Sequence, residues 1–309
     1  MNKSYVFLFP GQGSQSVGMC KELYDSYGVI QSTFEEASDT LDFSMEELVF
    51  QGPLDRLTQT QNTQPAILTV EVAIARLLEE QGISPLITAG HSLGEYACLV
   101  IAKAMSFSDA LTVVRKRGQL MQNAVALGEG TMAAVLGEED ECIEDVCKEI
   151  SRSGHIVEPA NYNCPGQLVI SGHTKAVQEA CEILKERGAK RCIPLQVSAP
   201  FHSSLLRPCG EDLAEELEKI DICNLSTPYV SNIDAHVVHQ PESIQMRLSQ
   251  QVWKPVLWKQ SLERLIASYP EANYLEVGPG NVGGGHLKKV SKHHIAYRTD
   301  HPDLISKLT

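Results

Sequence analysis

No hydrophobic run in this chain is long enough to cross a membrane. The longest, residues 97–102, stops at Lys103, against the roughly 20 apolar residues that a spanning helix needs. The apolar stretch near the start, Tyr5-Val6-Phe7-Leu8-Phe9, ends at Pro10-Gly11 and is too short for the core of a secretory signal. Positive charge is also scarce: 26 Lys+Arg stand against 39 Asp+Glu, a net charge of −13. Nucleic-acid phosphates repel such a chain, which excludes non-specific nucleic-acid binding. The nine cysteines are an odd number and contain no C-x-x-C, so neither a disulfide framework nor a zinc site is legible. The expectation is a soluble, cytoplasmic protein in a reducing compartment. With only 22 Gly and 15 Pro, and no repeat at solenoid or propeller periods, collagen, low-complexity and repeat architectures are excluded.

What is present is an ordinary globular composition, 43% hydrophobic over 309 residues, enough for one large domain or two smaller ones. Strand and helix signals alternate, which reads as α/β. A buried strand is expected at 5–9 and another at 86–89. Helices are expected at 65–81, with Pro65 at the start and Gly82 after the end, at about 93–104, and from a Ser108 cap through 125. Between 131 and 197 the order is β-α-β-β-α-β: strands at 131–136, 156–160, 167–171 and 191–197, with helices at 138–151 and 174–187. That is a ferredoxin-like unit. The predicted organisation is a large α/β subdomain with a parallel sheet (1–128 and 198–309) and an inserted ferredoxin-like subdomain (129–197). The junction between them is where a ligand cleft is expected.

Gly90-His91-Ser92-Leu93-Gly94 is a G-x-S-x-G between a predicted strand and a predicted helix. A sharp turn there exposes the serine hydroxyl, and the amide of Leu93 at the helix N-terminus is placed to stabilise an oxyanion. The competing reading is an ordinary Gly-rich loop. A serine nucleophile needs a base, and His202 in Ser198-Ala199-Pro200-Phe201-His202-Ser203 follows the last strand of the insert, near the junction. A purely structural histidine there is equally compatible with the pattern. His286, His293, His294 and His301 lie in polar segments and are expected to be solvated.

Arg117 falls in the middle of the apolar stripe formed by Ala110, Val113, Val114, Leu120, Met121 and Ala124, and no acid of its helix shares that face. A buried guanidinium needs an anion. Either a substrate carboxylate supplies it bidentately, or a distant acid pairs with it, or its stem carries it to water. Gly11-x-Gly13 and Gly278-x-Gly280-x-x-Gly283 imitate dinucleotide loops. The first lacks its third glycine, and the second has too little chain after it for a βαβ unit. Gln12, in the first of these loops, is a candidate second oxyanion donor.

Taken together, Phe9–Gln15, Gln64-Pro65-Ala66, Gly90–Glu95, Arg115-Lys116-Arg117-Gly118, Asn161-x-Asn163-x-Pro165-Gly166-Gln167, Pro200-Phe201-His202-Ser203 and Glu276-Val277-Gly278-Pro279-Gly280 resemble the malonyl-CoA:acyl carrier protein transacylase family over nearly the whole chain. The resemblance implies an α/β-hydrolase-like large subdomain carrying the ferredoxin-like insert. It implies Ser92 as the acylated nucleophile, His202 as its base, and the amides of Gln12 and Leu93 as the oxyanion hole. Arg117 would hold the malonyl carboxylate, and the main-chain carbonyl of Gln251 would orient the histidine. Gln64 and Asn163 would line the pocket, and Phe201 goes with malonyl rather than methylmalonyl. The implied partners are malonyl-CoA and acyl carrier protein, with no nucleic acid and no membrane, no cofactor or metal, and a monomer as the working unit.

One departure is Asn281-Val282-Gly283-Gly284-Gly285-His286, where family members often carry Lys-Val-Leu after the Gly-Pro-Gly. A more flexible loop lacking a positive charge is expected there. Basic residues for an acidic carrier are Lys185, Arg187, Lys190 and Arg191 on the insert and Lys288, Lys289 and Lys292 on the large subdomain. Rival readings are a discrete acyltransferase serving a polyketide synthase, a serine hydrolase such as a thioesterase on acyl carriers, and a non-catalytic carrier-binding module.

Overall fold

The run Tyr5–Phe9 is apolar at every position, so it suits a strand covered on both faces of a parallel sheet rather than one facing water. A computed structural model places it there. It describes residues 4–126, 128–152, 154–197 and 199–308; Ser198, and with it one expected subdomain boundary, lies outside them. In chain order the elements begin with β1 (Tyr5–Phe9), α1 (Lys21–Ser26), α2 (Gly28–Leu41), α3 (Leu54–Leu57), α4 (Thr60–Glu80), β2 (Pro85–Gly90), α5 (Gly94–Ile101) and α6 (Phe107–Gln122). Next come β3 (Gly130–Leu136), α7 (Asp140–Ser151), β4 (Val157–Cys164), β5 (Gln167–His173), α8 (Thr174–Glu186) and β6 (Arg191–Pro194). The chain continues with α9 (Arg207–Leu217), β7 (Tyr229–Val230), β8 (Val237–Val238), α10 (Ile244–Gln251) and α11 (Trp258–Ser268). It closes with β9 (Asn273–Glu276), α12 (Val282–Val290), β10 (Ala296–Arg298) and α13 (Pro302–Ile305).

The larger sheet runs β10-β9-β1-β2-β7-β8, parallel except for β8. The chain leaves β1 toward β2 on one side and returns as β9 on the other. The switch point of the sheet therefore lies at the carboxyl end of β1, where open α/β sheets place their ligands. The loops after β1, β2 and β9 converge there.

The smaller sheet runs β4-β5-β3-β6 and is antiparallel throughout. Its strands alternate by face. Ala133 and Val135 of β3 and Leu168 and Ile170 of β5 pack beneath α7 and α8. Met132, Ala134 and Val169 enter the core of the large subdomain. The period of two buries one face under the sheet's own helices and the other against its neighbour.

Several predicted boundaries shift. The long helix α4 begins at Thr60, with Pro65 inside it. The ring removes only the amide that would reach the carbonyl of half-buried Gln61 one turn back. The cap of α6 is Ser106 rather than Ser108, because its hydroxyl accepts from the Asp109 amide three residues on, at 3.0 Å. That helix ends at Gln122, and α5 is shorter than expected. Residues 282–290 form a helix rather than a flexible loop. The Glu276 carboxylate accepts from the amides of Gly283 and Gly284, each at 2.8 Å, tying down the helix start. His286 is consequently buried, with its Nε2 3.4 Å from Gln167, and is not solvated.

Candidate active site

Ser92 sits between β2 and α5 with φ at 51°, a left-handed conformation that L residues seldom adopt. The flanking glycines permit this turn. A Cβ on Gly90 would lie 2.0 Å from the Gly94 carbonyl carbon, and one on Gly94 would lie 2.5 Å from the Phe9 oxygen. Asn232, just after β7, locks the elbow from below. Its Oδ1 accepts from the Ser92 amide at 2.7 Å, and its Nδ2 donates to the Gly90 carbonyl at 2.6 Å.

His202 Nε2 lies 2.8 Å from Ser92 Oγ. Its Nδ1 faces two carbonyls, Gln251 at 2.7 Å and Lys254 at 3.2 Å. Carbonyls only accept, so Nδ1 carries the proton and Nε2 is free to take one from the serine. Burial, and secondarily the neighbouring Arg117, pushes the imidazole pKa down to about 3, so the ring is neutral.

Arg117 is 1% exposed, and its Nη2 donates to Ser92 Oγ at 3.0 Å and to Gln251 Oε1 at 2.8 Å. The guanidinium lies over the Tyr96 ring, 5.7 Å from its centroid, and its Nε has no acceptor. It forms no ion pair with a carboxylate among the described residues. Burial lowers its pKa from the ordinary value. Both readings that would have satisfied this cation elsewhere are thereby removed. Its helix can bring it this close because Gly118 rides on α4, where a Cβ would meet Gln61 Cα at 2.7 Å.

Gln251 does more than lend its carbonyl. Its side chain accepts from Arg117 and donates to the Ser92 carbonyl and to Glu95 Oε2, both at 2.7 Å. The loop of Gln12 is brought onto the elbow by Gly11, whose missing Cβ leaves room for the His91 carbonyl at 2.8 Å. Leu93 is buried in helical geometry directly after the serine. Phe201 is buried beside His202. Gln64 reaches across from α4 to Met121 Sδ at 3.6 Å, one turn beyond Arg117. Asn163 bonds to His91 Nε2 at 2.9 Å rather than to Ser92. A cleft of about 1030 Å³ opens beside Gln12, lined also by Thr60, Gln122, Asn123, Leu195 and Val197.

The sequence reading missed Asn232 and Glu95, and it missed the side-chain role of Gln251. Glu95 carried a signal, an acid opening the otherwise apolar helix α5. Asn232 had none, since the strand before it is only two residues long. Among the described residues no cluster of three or more His, Cys, Asp or Glu is arranged to hold a metal ion, and no helix is long and apolar enough to cross a membrane.

Residues 6–282 match the acyl transferase domain family. The malonyl CoA-acyl carrier protein transacylase of Bacillus subtilis is 46% identical over 97% of this chain and 94% of its own length. An acyl-carrier-protein S-malonyltransferase of Burkholderia pseudomallei superposes with a TM-score of 0.95 at 43% identity, covering 99% of both chains. A malonyl-transacylase solved in complex with its type II PKS acyl-carrier protein does so with a TM-score of 0.95 at 40% identity, covering 98% of both. With a serine, a neutral histidine and an unpaired arginine meeting at one elbow, and this likeness running from end to end, the chain belongs to the malonyl CoA-acyl carrier protein transacylase family.

Proposed function

We propose that this enzyme moves a malonyl group from malonyl-CoA to the phosphopantetheine thiol of acyl carrier protein, as in fatty acid biosynthesis, through a malonyl ester on Ser92. One observation carries the reading: Arg117 is buried, unpaired with any acid among the described residues, and 3.0 Å from the serine hydroxyl. A neutral acyl group has no use for that cation, whereas the free carboxylate of malonyl does.

His202 Nε2 takes the proton of Ser92 as the oxygen attacks the thioester carbon, and the amides of Gln12 and Leu93 hold the developing oxyanion. Each such donor is worth roughly 3–4 kcal/mol of barrier. The tetrahedral intermediate collapses, the C–S bond breaks, and the histidine returns the proton to the CoA thiolate. The carrier thiol then reverses these steps on the ester. A backbone carbonyl behind His202, in place of a carboxylate, fixes the tautomer but stabilises imidazolium less. That suffices because a thiolate leaves more readily than an amine.

Gln64 and Asn163 would shape the pocket indirectly, through Met121 and His91. The basic residues Lys185, Arg187, Lys190, Arg191, Lys288, Lys289 and Lys292 are all exposed and are the proposed contacts for an acidic carrier. We further propose a cytoplasmic monomer. A polyketide carrier is the second reading, favoured by the similar transacylase solved with such a partner. Incubation with malonyl-CoA and holo carrier proteins of both kinds, read by mass spectrometry, tests the assignment. Malonyl-carrier should accumulate. Free malonate released faster than transfer would instead identify a hydrolase.

A further inference from the structure

Beneath the reacting groups lies a buried acid that the transfer steps do not use. Glu95 opens α5, one turn beyond the elbow, and is 1% exposed. Its Oε2 accepts from the Gln251 side-chain amide at 2.7 Å and from the Asn232 backbone amide at 3.4 Å. Its Oε1 has no partner. A side-chain amide has two chemically different ends, and Gln251 must present oxygen, not nitrogen, to the guanidinium of Arg117. Two acceptors on the far side hold that choice, one for each Nε2 hydrogen: the Ser92 carbonyl and Glu95 Oε2.

We propose that Glu95 is a positioning residue that sets malonyl selectivity by fixing the Gln251 amide and, through it, the direction of Arg117. This rests on the malonyl-transfer reading above.

The same acid gives the site a pH dependence. Burial pushes its pKa up to about 7, against the opposing bonds from Gln251 and Asn232. The groups facing it are Tyr96 and Cys98 of its own helix, Arg117 of α6, Tyr229 of β7, Asp234 after β7 and Arg247 of α10. Arg247 is paired with Asp234 at 2.5 Å, so the pair adds little net charge. Below about pH 7 Glu95 is neutral and Arg117 keeps its full attraction for a substrate carboxylate. Above it, the ionised acid offsets that attraction from two hydrogen bonds away. The KM for malonyl-CoA should therefore rise as pH passes upward through about 7, whereas the KM for acetyl-CoA should not.

The test compares the full-length wild type with E95Q and E95L, using malonyl-CoA and acetyl-CoA from pH 6 to 8.5. A carboxamide oxygen still accepts from Gln251 but cannot ionise, so E95Q should lose the inflection in the malonyl-CoA KM. Leucine leaves one Nε2 hydrogen of Gln251 buried without an acceptor, so that the Ser92 carbonyl alone orients the amide, and E95L should lower the malonyl-to-acetyl ratio of kcat/KM by roughly tenfold. Should E95L fail to fold by circular dichroism, the E95Q profile still decides. An inflection retained in E95Q would overturn the proposal, as would an unchanged ratio in folded E95L, with wild-type malonyl transfer intact in either case. A wild type that transferred no malonyl at all would instead overturn the parent reading, and this proposal with it.

Discussion

Arg117 and His202 share one burial but are used oppositely. The histidine stays neutral chiefly because burial keeps water from it, and secondarily because a cation lies beside it; the arginine stays charged because its intrinsic pKa is far too high for burial to strip its proton. Arg117→Ala should lower kcat/KM for malonyl-CoA by about 3 kcal/mol, on the order of a hundredfold, while acetyl transfer is spared. Steady-state kinetics with both thioesters reads this, and an unchanged malonyl/acetyl ratio would remove the carboxylate clamp. For His202, whose pKa is pushed to about 3, the base remains unprotonated as pH falls through 6.5. The kcat/KM profile should thus show no acid limb near 6.5; a limb there would mean an ordinary, solvated imidazole. Of these residues, Ser92 was legible from its flanking glycines and Arg117 from its place on an apolar stripe. Asn232 was not, because nothing local in the sequence says that a side chain 140 positions away will hold the elbow amide.

At the scale of elements, glycines set how closely the pieces approach. Gly118 lets α6 ride on α4 and so aims Arg117 at the Ser92 hydroxyl. Gly118→Ala should overpack that crossing, lowering stability by roughly 1–3 kcal/mol and malonyl kcat/KM with it. Urea unfolding together with kinetics checks both, and a variant that is fully stable and fully active would show that the helices do not need this contact. The elements that could be read were the short apolar runs that end in Gly-rich loops, β1 and β2, and the six alternating pieces of the insert. Starts and caps were displaced because a proline is tolerated early in a helix and because two serines stood within reach of the same first turn. The two-residue strands β7 and β8 carry too few positions to show any alternation. Helix α12 was hidden by its glycines, which weaken helix propensity in isolation but here bring backbone amides onto the Glu276 carboxylate.

At the scale of the molecule, the insert's sheet is tied to the large subdomain along β4, where Asn161 bridges Val256 in the loop before α11. Val256 donates its amide to Ala160 at 2.8 Å and accepts from Tyr162 at 2.9 Å, and Lys259 pairs with Asp140 across the same seam. Buried histidines make the assembly sensitive to acid. Burial pushes the pKa of His286 down to about 3 from 6.5. Its neutral form therefore contributes fully above pH 6.5, and that contribution is lost as pH falls through this window, because the unfolded chain binds the proton first. Between pH 8 and pH 5, wild type should lose about 2 kcal/mol more stability than His286→Leu. Calorimetric melting at the two pH values measures this, and equal acid losses would place His286 in water.

The alternation of strand and helix, the inserted unit and the Gly90–Gly94 elbow were thus visible from patterns in the chain, whereas the hydrogen-bond network behind Ser92 exists only once distant loops meet. As proposed, a malonyl ester forms on Ser92 under the guidance of Arg117. The most direct test is intact-protein mass spectrometry after brief exposure to malonyl-CoA, followed by peptide mapping. A single malonyl adduct is expected on the peptide containing Ser92, absent in Ser92→Ala and strongly reduced in Arg117→Ala. An adduct that survives Ser92→Ala, or one formed equally well without the arginine, would contradict it.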